Sequence, residues 1–221
     1  VSVLRILRNE KYKGDLLMQK YYVRDFLTRE LERNDGRLTQ YYIENNHEAI
    51  VERQLWEAAQ LEQKRVEAFK KTHQIRELGS GSLEPFYGKI FCSQCGGRFV
   101  KKRGKSQWKC INTTGEKKET CQAQPVSEEK IEEQLSLAWA ELVSRRGNLL
   151  PDWEKEASQG NPLERLRASQ MQELAGKYPA WQHAAKKKRM LIQEILIGQG
   201  SVHTVVFMDG IRLQAGGINN E

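Results

Sequence analysis

Four cysteines constrain this chain more than any other feature. They stand as Cys92-X2-Cys95, then Cys110, then Cys121, and the 221 residues contain no others. A Cys-X-X-Cys turn lets two thiolates converge on one ion, and Gly96 and Gly97 follow where such a knuckle needs permissive backbone. Fourteen residues separate the second cysteine from the third and ten the third from the fourth, so the second pair arrives from a different strand. Soft thiolates in a tetrahedral cage suit Zn2+, and a closed four-thiolate shell leaves no open coordination position. The spacing predicts one structural zinc held by Cys92, Cys95, Cys110 and Cys121. A redox pair would need a βαβ setting that the flanking pattern lacks; buried free thiols are the plainer alternative.

Charge is concentrated around the same cysteines. The chain carries a net +7, and +6 of it falls in residues 81–126, against +2 in 1–80 and −1 in 127–221. Four thiolates with one Zn2+ carry −2 together, which leaves the cysteine segment near +4. No apolar run reaches the roughly 20 residues of a membrane span. The first residues lack the apolar core and cleavage site of a signal peptide, so a cytoplasmic location is expected.

The organisation that follows is α+β in three parts: residues 1–80, a cysteine-bearing ribbon over 81–126, and a helical extension with a terminal hairpin over 127–221. Gly79-Ser80-Gly81-Ser82 marks the first boundary. Ser127 with Glu128 and Glu129 after it marks a helix start. Residues 12–22 and 40–44 read as two strands pairing through a long loop, and 50–78 reads as a polar helix with an apolar stripe. Residues 127–145, 162–175 and 180–196 read as helices, the first two separated by a loop containing Pro151, Gly160 and Pro162. Residues 202–213 read as a hairpin with an Asp-Gly turn. His47 is expected to cap the helix after it, and His203 to sit on a strand face.

Arg98, Lys101, Lys102, Arg103, Lys105, Gln107 and Lys109 crowd the stretch between the second and third cysteines, with Phe99 and Trp108 interleaved. Two short antiparallel strands with a turn near Gly104 would make this a basic finger suited to phosphates. Base reading would need other groups, for which Gln107, Arg103 and Asn112 are candidates. Arg5, Arg8, Lys11 and Lys13 form a second possible phosphate set; Lys186 to Arg189 read as a solvated helix face. There is no Gly-rich phosphate loop and no serine with a His/Asp arrangement, so the sequence offers no catalytic residue and no small-molecule site.

Three runs carry a resemblance: Asn9-Glu10-Lys11-Tyr12-X-Gly14-Asp15, Tyr41-Tyr42-X-Glu44-Asn45-X-His47-X-Ala49-Ile50, and the ribbon from Tyr87 to Val100 with its cysteines. In this order they resemble the large serine recombinases of phages and mobile elements, in the part C-terminal to the catalytic domain. The resemblance implies a recombinase domain followed by a zinc β-ribbon, both gripping one DNA half-site, with the ribbon reaching into the major groove. It implies a parent protein that cuts and rejoins DNA with a serine on a preceding domain, acting with other recombinase subunits. This chain is then expected to be the DNA-binding part, with a recombinase domain that starts late. Many members carry a long coiled coil in the zinc domain, but residues 127–197 show no sustained heptads. The alternative function is a zinc-stapled assembly module, in which the helices after the ribbon mediate oligomerisation or synapsis.

Overall fold

A computed structural model describes residues 3–73, 75, 86–101, 104–113, 121–184 and 187–214. These fall into two compact units, one within residues 1–64 plus 161–163, the other within 65–160 plus 164–221.

The first unit opens with α1 (Val3–Leu7) and a single 3-10 turn over Glu10–Lys13. Asn9 caps that turn by accepting from Lys11 N at 3.3 Å. Gly14 closes it at φ +92°, where a Cβ would stand 2.7 Å from the His47 carbonyl oxygen. Then come β1 (Leu16–Leu17), β2 (Tyr21–Asp25), β3 (Glu30–Arg33), β4 (Tyr42–Ile43) and α2 (Arg53–Thr72). β1 pairs with β4, Leu16 opposite Ile43, so the expected long-range pairing is present. The single strand expected over 12–22 is not. Its first residues form the 3-10 turn, and Gln19 at φ +56° breaks the rest into β1 and β2. β2 then pairs with β3 in a local hairpin, Val23 opposite Leu31.

The family-like motifs of this unit converge on one buried carboxylate. Asp15 is fully buried and accepts from the Tyr42 hydroxyl, from Asn45 N at 3.1 Å and from Arg53 Nη2 at 2.7 Å. Lys13 Nζ lies 3.0 Å from the same carboxylate and 4.4 Å from the centre of the Trp56 ring. The Tyr42 hydroxyl and, against the cost of burial, the Asn45, Lys13 and Arg53 donors hold the Asp15 carboxyl well below its ordinary value. Glu10, also buried, accepts from Lys20 Nζ and from Leu17 N. His47 does not cap α2. Its Nε2 meets the Lys11 carbonyl at 2.8 Å, tying the second motif back to the first.

The second unit is a helix-covered sheet with a ribbon beside it. β5 (Ile90–Cys92), β6 (Phe99–Lys101), β7 (Gln107–Cys110) and β8 (Val126–Ser127) precede α3 (Glu128–Ser144), α4 (Arg146–Gln159) and α5 (Pro162–Lys177). Short helices α6 (Trp181–Ala184) and α7 (Lys188–Leu191) lead into β9 (Ile192–Gly198), β10 (Ser201–Phe207) and β11 (Arg212–Gln214). The ribbon is β6-β7-β8. The larger sheet runs β11-β10-β9-β5, with β5 parallel to β9 and the other neighbours antiparallel.

α3 begins as the sequence predicts, the Ser127 side chain accepting from Lys130 N at 3.3 Å. Ile131, Leu135, Ala138, Trp139 and Leu142 recur at helical spacing and are all buried. Three tryptophans bring apolar mass to this core with their indole N–H groups satisfied. Trp139 donates to the Tyr178 carbonyl at 2.9 Å, Trp153 to Asp209 at 2.8 Å and Trp181 to Glu132 at 2.8 Å.

Two expectations fail in this unit. The loop around Pro151 is the helix α4: proline in its second turn forfeits the ladder bond to Gly147 and crowds that carbonyl, and burial of Trp153 on the same helix offsets that cost. The helix expected over 180–196 ends at Leu191, and Ile192 starts a strand. Ile192, Ile195 and Ile197 are β-branched and fully buried, and Gly198 with Gln199 and Gly200, the latter two at φ +51° and +76°, make the tight turn into β10. The 202–213 hairpin is present with its Asp209-Gly210 turn, and His203 lies exposed on β10.

Candidate metal centre and nucleic-acid face

The four cysteines meet at one point. β5 delivers Cys92, the knuckle after it delivers Cys95, the end of β7 delivers Cys110, and Cys121 lies just ahead of β8. All four Sγ atoms lie within 4.8 Å of one another, Cys92 to Cys121 at 3.6 Å and Cys95 to Cys110 at 3.5 Å. A tetrahedral ion with Zn–S bonds of about 2.3 Å separates its sulfurs by about 3.8 Å, so the donor set fits zinc in number, type and spacing.

The knuckle forms because its backbone closes on itself. Gly96 N donates to the Cys92 carbonyl at 2.9 Å and Cys92 N to the Gly97 carbonyl at 2.8 Å. Gly96 sits at φ +67°, whereas Gly97 is needed for room: a Cβ there would stand 2.7 Å from Asn112 Nδ2 and 3.2 Å from Cys110 Sγ. Around the sulfurs, Gly97 N and Asn112 Nδ2 donate to Cys95 Sγ and Ala123 N to Cys121 Sγ, each at 3.4 Å. Burial raises the Cys95 thiol, but those donors outweigh it and bring it down to about 7. Burial pushes Cys110 and Cys121 up. Asn112, a base-reading candidate from sequence, is thus an outer partner of the metal ligands.

Strand periodicity sorts the basic residues of the ribbon. Along β7, Gln107 and Lys109 are exposed while Trp108 and Cys110 are buried. Register sets Val100 opposite Lys109 and Lys101 opposite Trp108, so Lys101 shares the inner face. There it pairs with Glu128 at 2.5 Å. Lys105 is exposed in the turn, and half-buried Arg98 lines a cleft with Thr72, His73 and Asn112 beside the knuckle. Lys102 and Arg103 lie outside the described residues. In the first unit, Lys13 is committed to Asp15, while Arg5, Arg8 and Lys11 are exposed, Arg8 donating to Gln63 at 3.0 Å.

The recombinase family matches residues 1–66, and the recombinase zinc beta ribbon domain matches residues 85–139. The chain belongs to the zinc-ribbon recombinases. Together the two matches span more than half of it. No curated protein sequence matches this recombinase. Among solved structures it is similar to one described as the crystal structure of an LSR-DNA complex, at 15% identity and a TM-score of 0.41, covering 92% of this chain and 73% of that one. The zinc of this recombinase is structural, enclosed by four thiolates with no open position. No helix among the described residues is long and apolar enough to cross a membrane.

Sequence reasoning did not find the Asp15 hub. Its signal was present in the two motifs that supply Asp15, Tyr42 and Asn45, but their meeting depends on a chain reversal that spacing does not reveal.

Proposed function

We propose that this chain binds duplex DNA at the half-site of a recombination attachment site, as the DNA-gripping part of a large serine recombinase whose chemistry is carried on another segment. Other recombinase subunits are its partners during strand exchange. The observation that carries this reading is the outer face of β7: Gln107 and Lys109, with Lys105 in the adjoining turn, stand exposed on a ribbon fixed from behind by Trp108 and the four cysteines. A two-stranded ribbon fits a major groove, and the β6–β7 pair of this sheet, with the turn between them, offers cations for phosphate and an amide for a base edge. Arg5, Arg8 and Lys11 supply a second set of cations, and Arg98 a further one at the knuckle.

The assembly-module alternative draws less support. It assigns oligomerisation or synapsis to the helices after the ribbon, and the apolar residues Ile131, Leu135, Leu142, Met171 and Leu174 of those helices are buried within their own unit.

The test is salt-dependent binding to a duplex enriched from a random library by the wild-type chain. Lys105→Ala and Lys109→Ala should each lower the slope of log K against log salt by about one. Lys101→Ala should lower it far less, because Glu128 already answers that charge. Gln107→Ala should relax sequence preference while leaving the slope alone. Equal slopes for Lys101→Ala and Lys109→Ala would remove the outer face as the contact.

A further inference from the structure

The β2–β3 hairpin of the first unit has two unlike faces. On one, the Tyr22 hydroxyl donates to Glu32 at 3.0 Å and accepts from Arg37 at 2.9 Å, and Arg24 pairs with Glu30 at 2.5 Å. On the other, Tyr21, Val23 and Leu31 are exposed, with Val23 opposite Leu31 and Tyr21 opposite Arg33. The tip carries Phe26 and Leu27 at 90% and 92% exposure. Single exposed apolar groups need no explanation, but a contiguous row ending in a bare aromatic is unusual for a free surface.

The tip is shaped, not loose. Asp25 accepts from Leu27 N at 2.9 Å and from Thr28 Oγ1 at 3.0 Å, and Arg29 turns the chain at φ +52°. The base is clamped by buried Asn34, whose amide donates to the Gln19 and Leu38 carbonyls at 2.9 and 2.7 Å and accepts from Gly36 N and Leu38 N.

Charge says what the apolar face fits. The acids of the hairpin are all engaged: Glu30 by Arg24, Glu32 and Asp35 by Arg37, and Asp25 by its own loop. Arg29 and Arg33 are exposed and have no acidic partner among the described residues. A second copy of this face would bring its own Arg29 and Arg33 against them, like charge against like. A phosphodiester backbone answers both arginines, and a groove receives the apolar tip. We propose that the β2–β3 hairpin is a DNA wedge: Phe26 and Leu27 enter the minor groove and lean between adjacent base pairs, while Arg29 and Arg33 hold the flanking phosphates. This rests on the reading of the chain as a duplex-DNA binder and adds a contact far from the ribbon in sequence, together with a deformation of the DNA.

The experiment uses the full chain and the duplex enriched by the wild type, end-labelled for energy transfer and scanned with 2-aminopurine. Wild type should bend the duplex and brighten 2-aminopurine at one step. The double variant Phe26→Ser/Leu27→Ser should keep its melting curve and zinc content, lose both signals, and bind with an unchanged salt slope at up to about tenfold lower affinity. Arg29→Ala/Arg33→Ala should lower the slope by about two. Phe26→Trp should show its indole quenched on binding. Binding by wild type with bend and 2-aminopurine signals that survive in the double variant overturns the wedge and leaves the DNA reading standing, as does an unquenched Trp at position 26. Absence of duplex binding by wild type overturns both. Self-association in sedimentation that only the double variant loses, with DNA signals intact, makes the face a protein contact and overturns the wedge as well.

Discussion

The two units of this recombinase are held together by different physics. Among the described residues of the first, Ala58 is the one buried apolar side chain, while Glu10 and Asp15 are buried carboxylates ringed by donors and Asn34 is a buried amide that both donates and accepts. The second buries a continuous apolar core of Ile, Leu, Val, Phe and Trp beneath α3 and the β5–β9–β10–β11 sheet, with four thiols at its edge. Hydrophobic burial is non-directional and tolerates exchange of like for like, whereas a buried carboxylate needs every donor in place. The first unit should therefore be brittle toward single polar substitutions, and the second toward loss of volume or of metal.

The largest effect expected is removal of zinc. Chelation removes binding energy of about 10 kcal/mol, the scale of isolated structural zinc sites, and Cys110→Ser weakens the site by deleting one of its four thiolates. Amide exchange over residues 90–110 should lose its protection, while residues 10–17 and 42–53 keep theirs; common loss in both regions would break the division. The converse variant is Asp15→Asn, which leaves Arg53 and Lys13 facing a neutral amide. Protection should vanish over 10–17 and 42–53 with zinc content at one per chain.

Acid sharpens the same contrast. The Asp15 carboxyl is held below its ordinary value near 3.8, so its contribution is fully present above that pH and is lost as pH falls toward the folded value. Stability of the first unit should fall below about pH 4, and that slope should flatten in Asp15→Asn.

Smaller effects test the core. Leu135→Ala should cost the second unit about 2–5 kcal/mol in denaturant unfolding, whereas Leu137→Ala, two residues along the same helix and exposed, should stay within about 0.5 kcal/mol. Ser127→Ala, which deletes the α3 cap, should cost about 1 kcal/mol.

Local chemistry was legible before any fold was known. The cysteine spacing announced the metal centre, Ser127 the start of α3, and Asp209-Gly210 the terminal turn, because each acts over a few residues. Pro151 and the run from Ala180 to Leu196 misled for a common reason: a local preference was overruled by burial. Trp153 packs well enough to keep a proline inside a helix, and Ile195 and Ile197 are fixed as strand by pairing with Ile90 and Cys92, some hundred residues away.

The sequence by itself determined that this chain has a four-thiolate zinc ribbon bearing most of its net charge. The tertiary structure alone decided which of those cations are free. Lys101 and Lys109 lie on neighbouring strands of one ribbon, yet the alternation of strand faces turns Lys101 inward to Glu128 and Lys109 out to solvent. Net charge counts both alike, because composition carries no register; only the pairing of Lys101 with Trp108 across the ribbon assigns each lysine its side.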